Sequence, residues 1–241
     1  MNKRRNFQKS LVSLGLAVAL GASAQTGVNP AKEDLGEAQK IYSPYVARSV
    51  RNNNFAEGVY WGDTHLHTSY STDAGMIGNT LPPEAAYKFA MGEEVVTSSG
   101  QRARLIRPLD FLVVADHAAN LGLAPMIAEG NPELLATKNG RRLADLVNAG
   151  EGYEAFQIWG QEGVAQNTDI INNPKMTRTV WDRQIKSADQ YNDPGNFTAF
   201  IGYEWTSINT LDNPSNLHRV VVFKDGRDRV SQVVPFSAFD S

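Results

Sequence analysis

The chain has 241 residues, of which 41% are hydrophobic and 20% are charged, and it contains no cysteine. These values are typical of a folded globular protein and exclude a disordered chain. Without cysteine there are no disulfides, thiolate metal sites, iron–sulfur clusters or cysteine nucleophiles, so any metal site must use histidine and carboxylate ligands. The formal net charge is −3. Because there is no basic excess, we expect no nucleic-acid partner.

The first 24 residues have the layout of a secretory signal peptide. A cationic start precedes an apolar stretch over residues 11–20, and the small residues of positions 22–24 form a cleavage site. The apolar stretch is shorter than the ~20 residues that span a bilayer, so we expect no stable membrane anchor. Cleavage after Ala24 removes four positive charges and no negative ones, which leaves a net charge of −7. The expected product is exported, to the periplasm or the medium.

Residues 25–54 are polar and weakly patterned, and we interpret them as a lead-in to one domain that spans residues 55–241. In that domain, residues 59–61 predict a short buried strand. A helix is predicted after Pro82 and Pro83, ending at Gly92. Residues 94–97 and 102–106 predict a hairpin. The apolar run over residues 111–115 predicts a strand that is buried on both faces, as in a parallel sheet.

Helical patterning dominates residues 121–191. Pro174 is placed to begin a helix in which Trp181, Ile185 and Ala188 share one face. Residues 197–203 and 217–223 predict two further strands. Because strands alternate with helical segments, the sequence indicates an α/β fold with parallel strands.

The segment from Gly62 to Asp73 contains two of the four histidines in the chain. In an extended chain, His65 and His67 lie on one face and can converge on one ion. Asp73 follows closely enough for the loop to return a carboxylate. Asp63 has the same parity as the histidines, and we keep it as a supporting residue. A lone His-x-His pair is weak evidence for a metal site.

The other two histidines strengthen the hypothesis of a metal site. Asp116 and His117 end the most hydrophobic predicted strand, and the carboxyl ends of parallel strands are where sites assemble in α/β folds. Glu204 ends another apolar strand, where a carboxylate is costly unless it is exposed, paired or bound to a cation. His218 opens the last predicted strand. The alternative is that these groups are solvated strand ends or hydrogen-bonded core residues.

Four blocks of sequence carry a resemblance to a known family: WGDTHLHTS at 61–69, LDFLVVADH at 109–117, FIGYEWT at 200–206 and NLHR at 216–219. In this order they resemble an exported branch of the PHP (polymerase and histidinol phosphatase) superfamily, the domain-of-unknown-function family numbered 3604. The resemblance implies a PHP-like distorted (β/α)7 barrel that holds two or three divalent ions, zinc, manganese or iron, at the carboxyl ends of its strands.

The resemblance also implies a ligand set. His65 and His67 would bind a first ion, which Glu204 would bridge to a second. His218 would bind the second ion, while Asp73 and His117 would bind a third. Asp116 would orient its neighbour His117.

The chain has no histidine after His218 and stops at Ser241. PHP barrels draw further ligands from strands nearer their carboxyl end. If the resemblance holds, about half of the barrel is absent on the C-terminal side, and each metal position lacks one protein ligand.

Clustered divalent ions suit hydrolysis, because an ion-bound water ionises near neutral pH and neighbouring ions neutralise developing charge. The resemblance implies a phosphoesterase that acts on a small molecule with an ion-bound hydroxide as nucleophile. Arg219 could clamp a phosphate oxygen, or it could be a solvated surface arginine. Two alternatives stay open: an amidohydrolase-like C–N or C–O hydrolase, and an exported metal-binding domain without catalysis.

Overall fold

The computed structural model describes residues 59–166, 168–209 and 215–240. The predicted signal peptide over 1–24 and the predicted lead-in over 25–54 lie outside the described residues. The strands of the described part are β1 (Gly62–Leu66), β2 (Val95–Val96), β3 (Arg102–Ala103), β4 (Phe111–Val114), β5 (Thr198–Asn209) and β6 (Ser215–Val222). Its α-helices are α1 (Thr72–Met76), α2 (Pro83–Ala90), α3 (Leu123–Ala128), α4 (Pro132–Ala136), α5 (Lys138–Asn148), α6 (Gly152–Trp159), α7 (Pro174–Tyr191) and α8 (Arg227–Val230). A π-helical turn, Gly160–Val164, follows α6.

Four strands form one mixed sheet in the order β1-β4-β5-β6. β4 pairs in parallel with β1 on one side and with β5 on the other. Leu112, Val113 and Val114 are buried, as the sequence predicts for a central strand covered on both faces. The predicted mixed α/β class is confirmed, whereas a closed (β/α)7 barrel is not.

The prediction of parallel strands is wrong for the last strand of this sheet, because β6 pairs with β5 in the antiparallel direction. Only residues 210–214 separate the two strands along the chain. A parallel return would need a crossover of about a dozen residues or more, so a connection of this length permits only an antiparallel neighbour.

The buried strand predicted at residues 59–61 is also wrong. Val59, Tyr60 and Trp61 are exposed, and the first strand begins one residue later, at Gly62. The Trp61 backbone is held by Asp110, whose carboxylate accepts the Trp61 N–H at 2.7 Å and whose own N–H donates to the Trp61 carbonyl at 2.7 Å. β1 is therefore an edge strand that contains His65, whereas the sequence predicted a buried strand that ends before this residue.

The predicted helices and hairpin are confirmed in position, although the hairpin is shorter than expected. β2 and β3 pair only through Val95 with Ala103 and Val96 with Arg102. Pro174 begins α7, and the Asn173 side chain caps it by accepting the Met176 N–H at 3.0 Å. The segment between residues 121 and 191 is helical as predicted, but it is divided into several short helices before α7.

α7 packs against the sheet and supports the strands that lead to the candidate site. Trp181 is fully buried and meets Tyr203 of β5 edge to face, with ring centroids 5.9 Å apart. The Gln184 amide donates to the carbonyl of Val114 at 3.1 Å and to that of Gly202 at 2.8 Å. These bonds tie β4 to β5 just before the residues that carry the site. No helix in the described ranges is both long enough and apolar enough to cross a bilayer.

Candidate metal centre

The six residues that the sequence nominated as ligands converge at one edge of the sheet. β1 contains His65, and His67 follows its last residue. His117 follows β4 and forms an isolated parallel bridge with Glu204 of β5. Because β1, β4 and β5 are mutually parallel, these side chains meet near the carboxyl ends of β1 and β4. Asp73 arrives from the first turn of α1.

The antiparallel pairing of β6 brings the fourth histidine to the same place. Thr206 lies opposite His218, and Glu204 lies opposite Val220. Side chains alternate along a strand, and residues directly opposite share a face, so His218 and Glu204 project to the same side of the sheet. Nδ1 of His218 is in close contact with Glu204 Oε1.

Glu204 lies at the centre of the cluster, with a side chain that is 1% exposed. Its Oε2 is 2.9 Å from His65 Nε2 and 2.8 Å from His67 Nε2. The same oxygen is 3.3 Å from His117 Nδ1. One carboxylate is therefore shared among all four histidines of the chain.

Although these atoms are close together, several of them lack hydrogen bonds. Both Glu204 oxygens and His67 Nε2 are buried without a hydrogen bond to any described group. A buried carboxylate that makes no hydrogen bond is costly, and coordination of a cation is one of the few ways to offset that cost. Histidine nitrogens and carboxylate oxygens that approach one another without hydrogen-bond geometry are arranged as ligand atoms are around a divalent ion.

The cluster divides into three groups of potential ligands. The donor atoms within each group lie within 4.8 Å of one another. The groups are His65, His67 and Glu204; His67, Asp73 and His117; and His117, Glu204 and His218. Because the groups share His67, Glu204 and His117, ions bound to them would lie next to one another. Imidazole with carboxylate suits zinc, manganese and iron.

Asp73 supports the cluster from the side opposite Glu204. Its Oδ1 is 3.2 Å from His67 Nδ1, and its Oδ2 is 3.5 Å from His117 Nε2. Burial acts to raise the pKa of Asp73, but hydrogen bonds from His117, His67 and Ser71 outweigh it and hold that pKa far below its ordinary range. Asp73 is therefore a carboxylate anion at every physiological pH.

The charges in the cluster also move the pKa values of its central pair. Burial acts to raise the pKa of Glu204, but the surrounding imidazoles, His65 foremost, bring it below its usual value. Burial acts to lower the pKa of His67, yet the hydrogen bond and the charge of Asp73 raise it overall. The protein thus favours negative charge on the carboxylates and attracts positive charge to the space between them.

Asp116 is hydrogen-bonded to Thr68, whereas the sequence suggested His117 as its partner. It is fully buried, and it accepts the Thr68 backbone N–H at 2.5 Å and the Thr68 hydroxyl at 2.7 Å. Burial raises the pKa of Asp116 to about 6, although the bonds from Thr68 act to lower it. The carboxylate therefore fixes the turn directly after His67 instead of the ring of His117.

Two other nominated residues lie at the margin of the cluster. Arg219 pairs with Trp205 across the β5–β6 ladder and is exposed. By strand alternation its side chain points to the face opposite His218, so the structure does not bring it to the ligands. Asp63 Oδ1 accepts the His65 backbone N–H at 2.8 Å, which fits its expected supporting place.

Sequence reasoning assigned no role to three hydroxyl residues that the structure places at the site. Thr68 holds Asp116, and the Ser71 hydroxyl contacts both His67 and Asp73. Thr206 Oγ1 lies 3.1 Å from His117 Nδ1. Thr206 could have been found from its period-two spacing with Glu204 on β5, whereas the roles of Thr68 and Ser71 depend on contacts between separate elements.

The fold and the cluster together define a mixed α/β protein with a candidate histidine–carboxylate metal centre. Over residues 54–241 the chain matches the family described as Protein of unknown function (DUF3604), and it belongs to that family. The match covers all four histidines and both carboxylates of the cluster. No curated protein and no solved structure matches the chain.

Proposed function

We propose that this protein is a divalent-metal-dependent hydrolase that acts on phosphoesters of small molecules. The observation that carries the proposal is the state of Glu204. Its carboxylate is 1% exposed, has no hydrogen bond, and lies against nitrogen atoms of four imidazoles. A group in that state is stabilised by a cation, and its neighbours are all metal-ligand types.

Each part of the cluster has a distinct place in the proposed centre. His65 Nε2 and His67 Nε2 would hold one ion together with Glu204 Oε2. Glu204 Oε1 and His218 Nδ1 would hold a second. Asp73 Oδ2 and His117 Nε2, which face each other at 3.5 Å, would contribute to a third.

Neighbouring divalent ions lower the pKa of bound water and neutralise charge on a phosphoryl group, and adjacent metal pairs are typical of phosphatases and nucleases. Residues outside the ligand set hold the ligands in position. Asp116 fixes the turn after His67 through Thr68, and the Glu204 backbone N–H donates to the Asp116 carbonyl at 3.0 Å. The resemblance of the four sequence blocks to the PHP superfamily supports phosphoesters over other substrates.

The test is a substrate panel on the full chain, freed of metal by chelation and reloaded separately with zinc, manganese or iron. Phosphomonoesters, phosphodiesters, lactones and amides are compared at equal concentration. The proposal expects turnover of a phosphoester that depends on added metal and is lost in Glu204→Gln. Turnover of amides or lactones alone would replace the phosphoesterase proposal with a C–N or C–O hydrolase. Bound metal without any turnover would favour a binding domain.

A matched control is available on the neighbouring strand. Arg219→Gln changes a charged residue on β6 but leaves the ligand face intact, whereas His218→Gln changes the adjacent residue on that face. The proposal expects His218→Gln to lower metal-dependent turnover at least about tenfold, as removal of a metal ligand or its supporting partner commonly does. Equal activity of both variants would exclude His218 from the centre.

We further propose that the protein is exported and loses residues 1–24. The support is the sequence layout alone, a cationic start followed by a short apolar stretch and small residues. Mass spectrometry of protein recovered from the periplasm or medium of an expressing bacterium should show an amino terminus at Gln25. Recovery only from the cytoplasm with Met1 retained would contradict export.

A further inference from the structure

Ser71 is a fully buried residue in the turn between β1 and α1. It occupies the N-cap position of α1, where a serine hydroxyl ordinarily accepts an N–H from the first turn of the helix. The Ser71 side chain makes no such bond. Its hydroxyl is directed into the metal centre instead.

The Ser71 hydroxyl contacts three of the proposed ligand residues at once. It donates to Asp73 Oδ1 at 2.6 Å, and it accepts the backbone N–H of His117 at 3.1 Å. It also lies 3.1 Å from His67 Nδ1. The Ser71 oxygen therefore links the His67 ring after β1, the Asp73 carboxylate of α1 and the His117 backbone after β4.

Counting protons decides the direction of the contact with His67. The hydroxyl has one hydrogen, and the short bond to the anionic Asp73 uses it. His67 Nδ1 must then carry the hydrogen and donate it to Ser71 Oγ, with Asp73 Oδ1 as a second acceptor at 3.2 Å. In neutral His67 the lone pair is consequently on Nε2, the atom that is 2.8 Å from Glu204 Oε2 and has no hydrogen bond.

We propose that Ser71 is a positioning residue that fixes the tautomer of His67 and thereby directs Nε2 of that ring into the metal centre. The inference deepens the proposed function and rests on it. It also places His67 in the ion site of His65 and Glu204. Asp73 Oδ1 already accepts hydrogens from Ser71, His67 and the Ala74 backbone, the last at 2.6 Å, so only Asp73 Oδ2 is available to an ion.

The first test requires no variant of Ser71. Long-range ¹H–¹⁵N correlation spectra of metal-free, ¹⁵N-labelled protein, recorded at a pH where His67 is neutral, report which ring nitrogen carries the hydrogen. The His67 signals are identified by their loss in His67→Gln. The proposal expects the hydrogen on Nδ1. A hydrogen on Nε2 would overturn it, whether or not any Ser71 variant folds.

The second test compares Ser71→Ala with Ser71→Thr, which retains the hydroxyl, and with Ser69→Ala. Ser69 is buried in the same turn, but among the described contacts its hydroxyl bonds to none of the ligands. Zinc affinity is measured by competition with a chromophoric chelator. Ser71→Ala should bind zinc about tenfold more weakly and show a mixture of His67 tautomers, as loss of a partner that orients a ligand predicts. Ser71→Thr and Ser69→Ala should remain near wild type.

The outcomes separate this inference from the function on which it rests. Zinc binding with the expected tautomer, but no turnover on any substrate, would refute the hydrolase while the role of Ser71 stands. Turnover that persists in Ser71→Ala, with zinc affinity within twofold of wild type and an unchanged tautomer, would refute the role of Ser71 while the hydrolase stands.

Discussion

Two carboxylates, Asp116 after β4 and Glu204 on β5, are almost fully buried, and their surroundings give them different roles. Asp116 accepts two hydrogen bonds from Thr68, so both of its oxygens have partners within the protein, although burial raises its pKa to about 6. Glu204 accepts none, although it is equally inaccessible to water. We infer that Asp116 fixes the turn after His67 through its hydrogen bonds, whereas the Glu204 oxygens are left available to bind cations.

This contrast predicts unequal effects of two amide substitutions on the stability of the metal-free protein. Asp116→Asn should lower the free energy of unfolding by about 2 kcal/mol, because an amide cannot accept both bonds from Thr68. Glu204→Gln should change the free energy of unfolding by less, because the carboxylate makes no hydrogen bond that the amide would lose. Urea unfolding in the presence of chelator measures both. A larger loss in Glu204→Gln than in Asp116→Asn would contradict the division of roles.

The position of Arg219 predicts a small kinetic effect. Its side chain lies on the face opposite His218, so Arg219→Gln should change the KM for a phosphoester by less than about twofold, as expected of a charge that does not touch the substrate. Steady-state kinetics at fixed metal concentration checks this. An increase in KM of tenfold or more would restore the phosphate clamp that the sequence suggested.

At the scale of elements, the apolar run of β4 and the prolines that begin α2 and α7 are local signals, and the sequence predicted the strand and both helices from them. The direction of β6 was missed because the predicted strands, 197–203 and 217–223, leave residues 204–216 between them, which is enough for a crossover. In the structure both strands are longer, and only residues 210–214 connect them. The start of β1 was missed because three consecutive apolar residues predict a buried strand. In the structure Val59, Tyr60 and Trp61 are exposed and lie before the first paired residue of the sheet.

The short helix α1 predicts a close-packing effect. A Cβ atom added at Gly75 would lie 2.3 Å from the Ser69 carbonyl oxygen and 2.6 Å from Ala124 Cβ. Gly75→Ala should therefore cost about 2 kcal/mol or more and displace Asp73 from the ligand cluster. Gly160 has helical backbone angles and open space around it, so Gly160→Ala should be neutral or stabilising by about 0.5 kcal/mol.

Thermal unfolding and zinc titration measure the two effects together. Gly75→Ala should unfold earlier and also bind zinc more weakly, while Gly160→Ala should match wild type in zinc affinity. A Gly75→Ala protein with wild-type stability and affinity would show that α1 can shift without disturbing the site.

At the scale of the whole molecule, the chain brings together residues that are up to 153 positions apart, from His65 to His218. The sequence identified these six side chains from strand ends and from a family resemblance. It could not identify the hydroxyls of Thr68 and Ser71, because their roles depend on how separate elements pack against one another. Such supporting contacts belong to the tertiary structure.

Metal binding should stabilise the molecule as a whole. A ligand at a hundred times its Kd stabilises the folded state by about 2.7 kcal/mol, which corresponds to a Tm increase of about 5–10 °C in a domain of this size. Zinc at that excess should produce such an increase in wild type and a much smaller one in Glu204→Gln. A wild-type shift below 1 °C, or equal shifts in both proteins, would contradict the site.

The central claim is that one buried carboxylate and its histidines form a centre for more than one ion. Elemental analysis of the purified full chain, loaded with zinc and dialysed, counts those ions directly. The account predicts at least two zinc ions per wild-type chain and the loss of at least one in Glu204→Gln, with Arg219→Gln unchanged. Fewer than one ion per wild-type chain, or equal counts in wild type and Glu204→Gln, would contradict it.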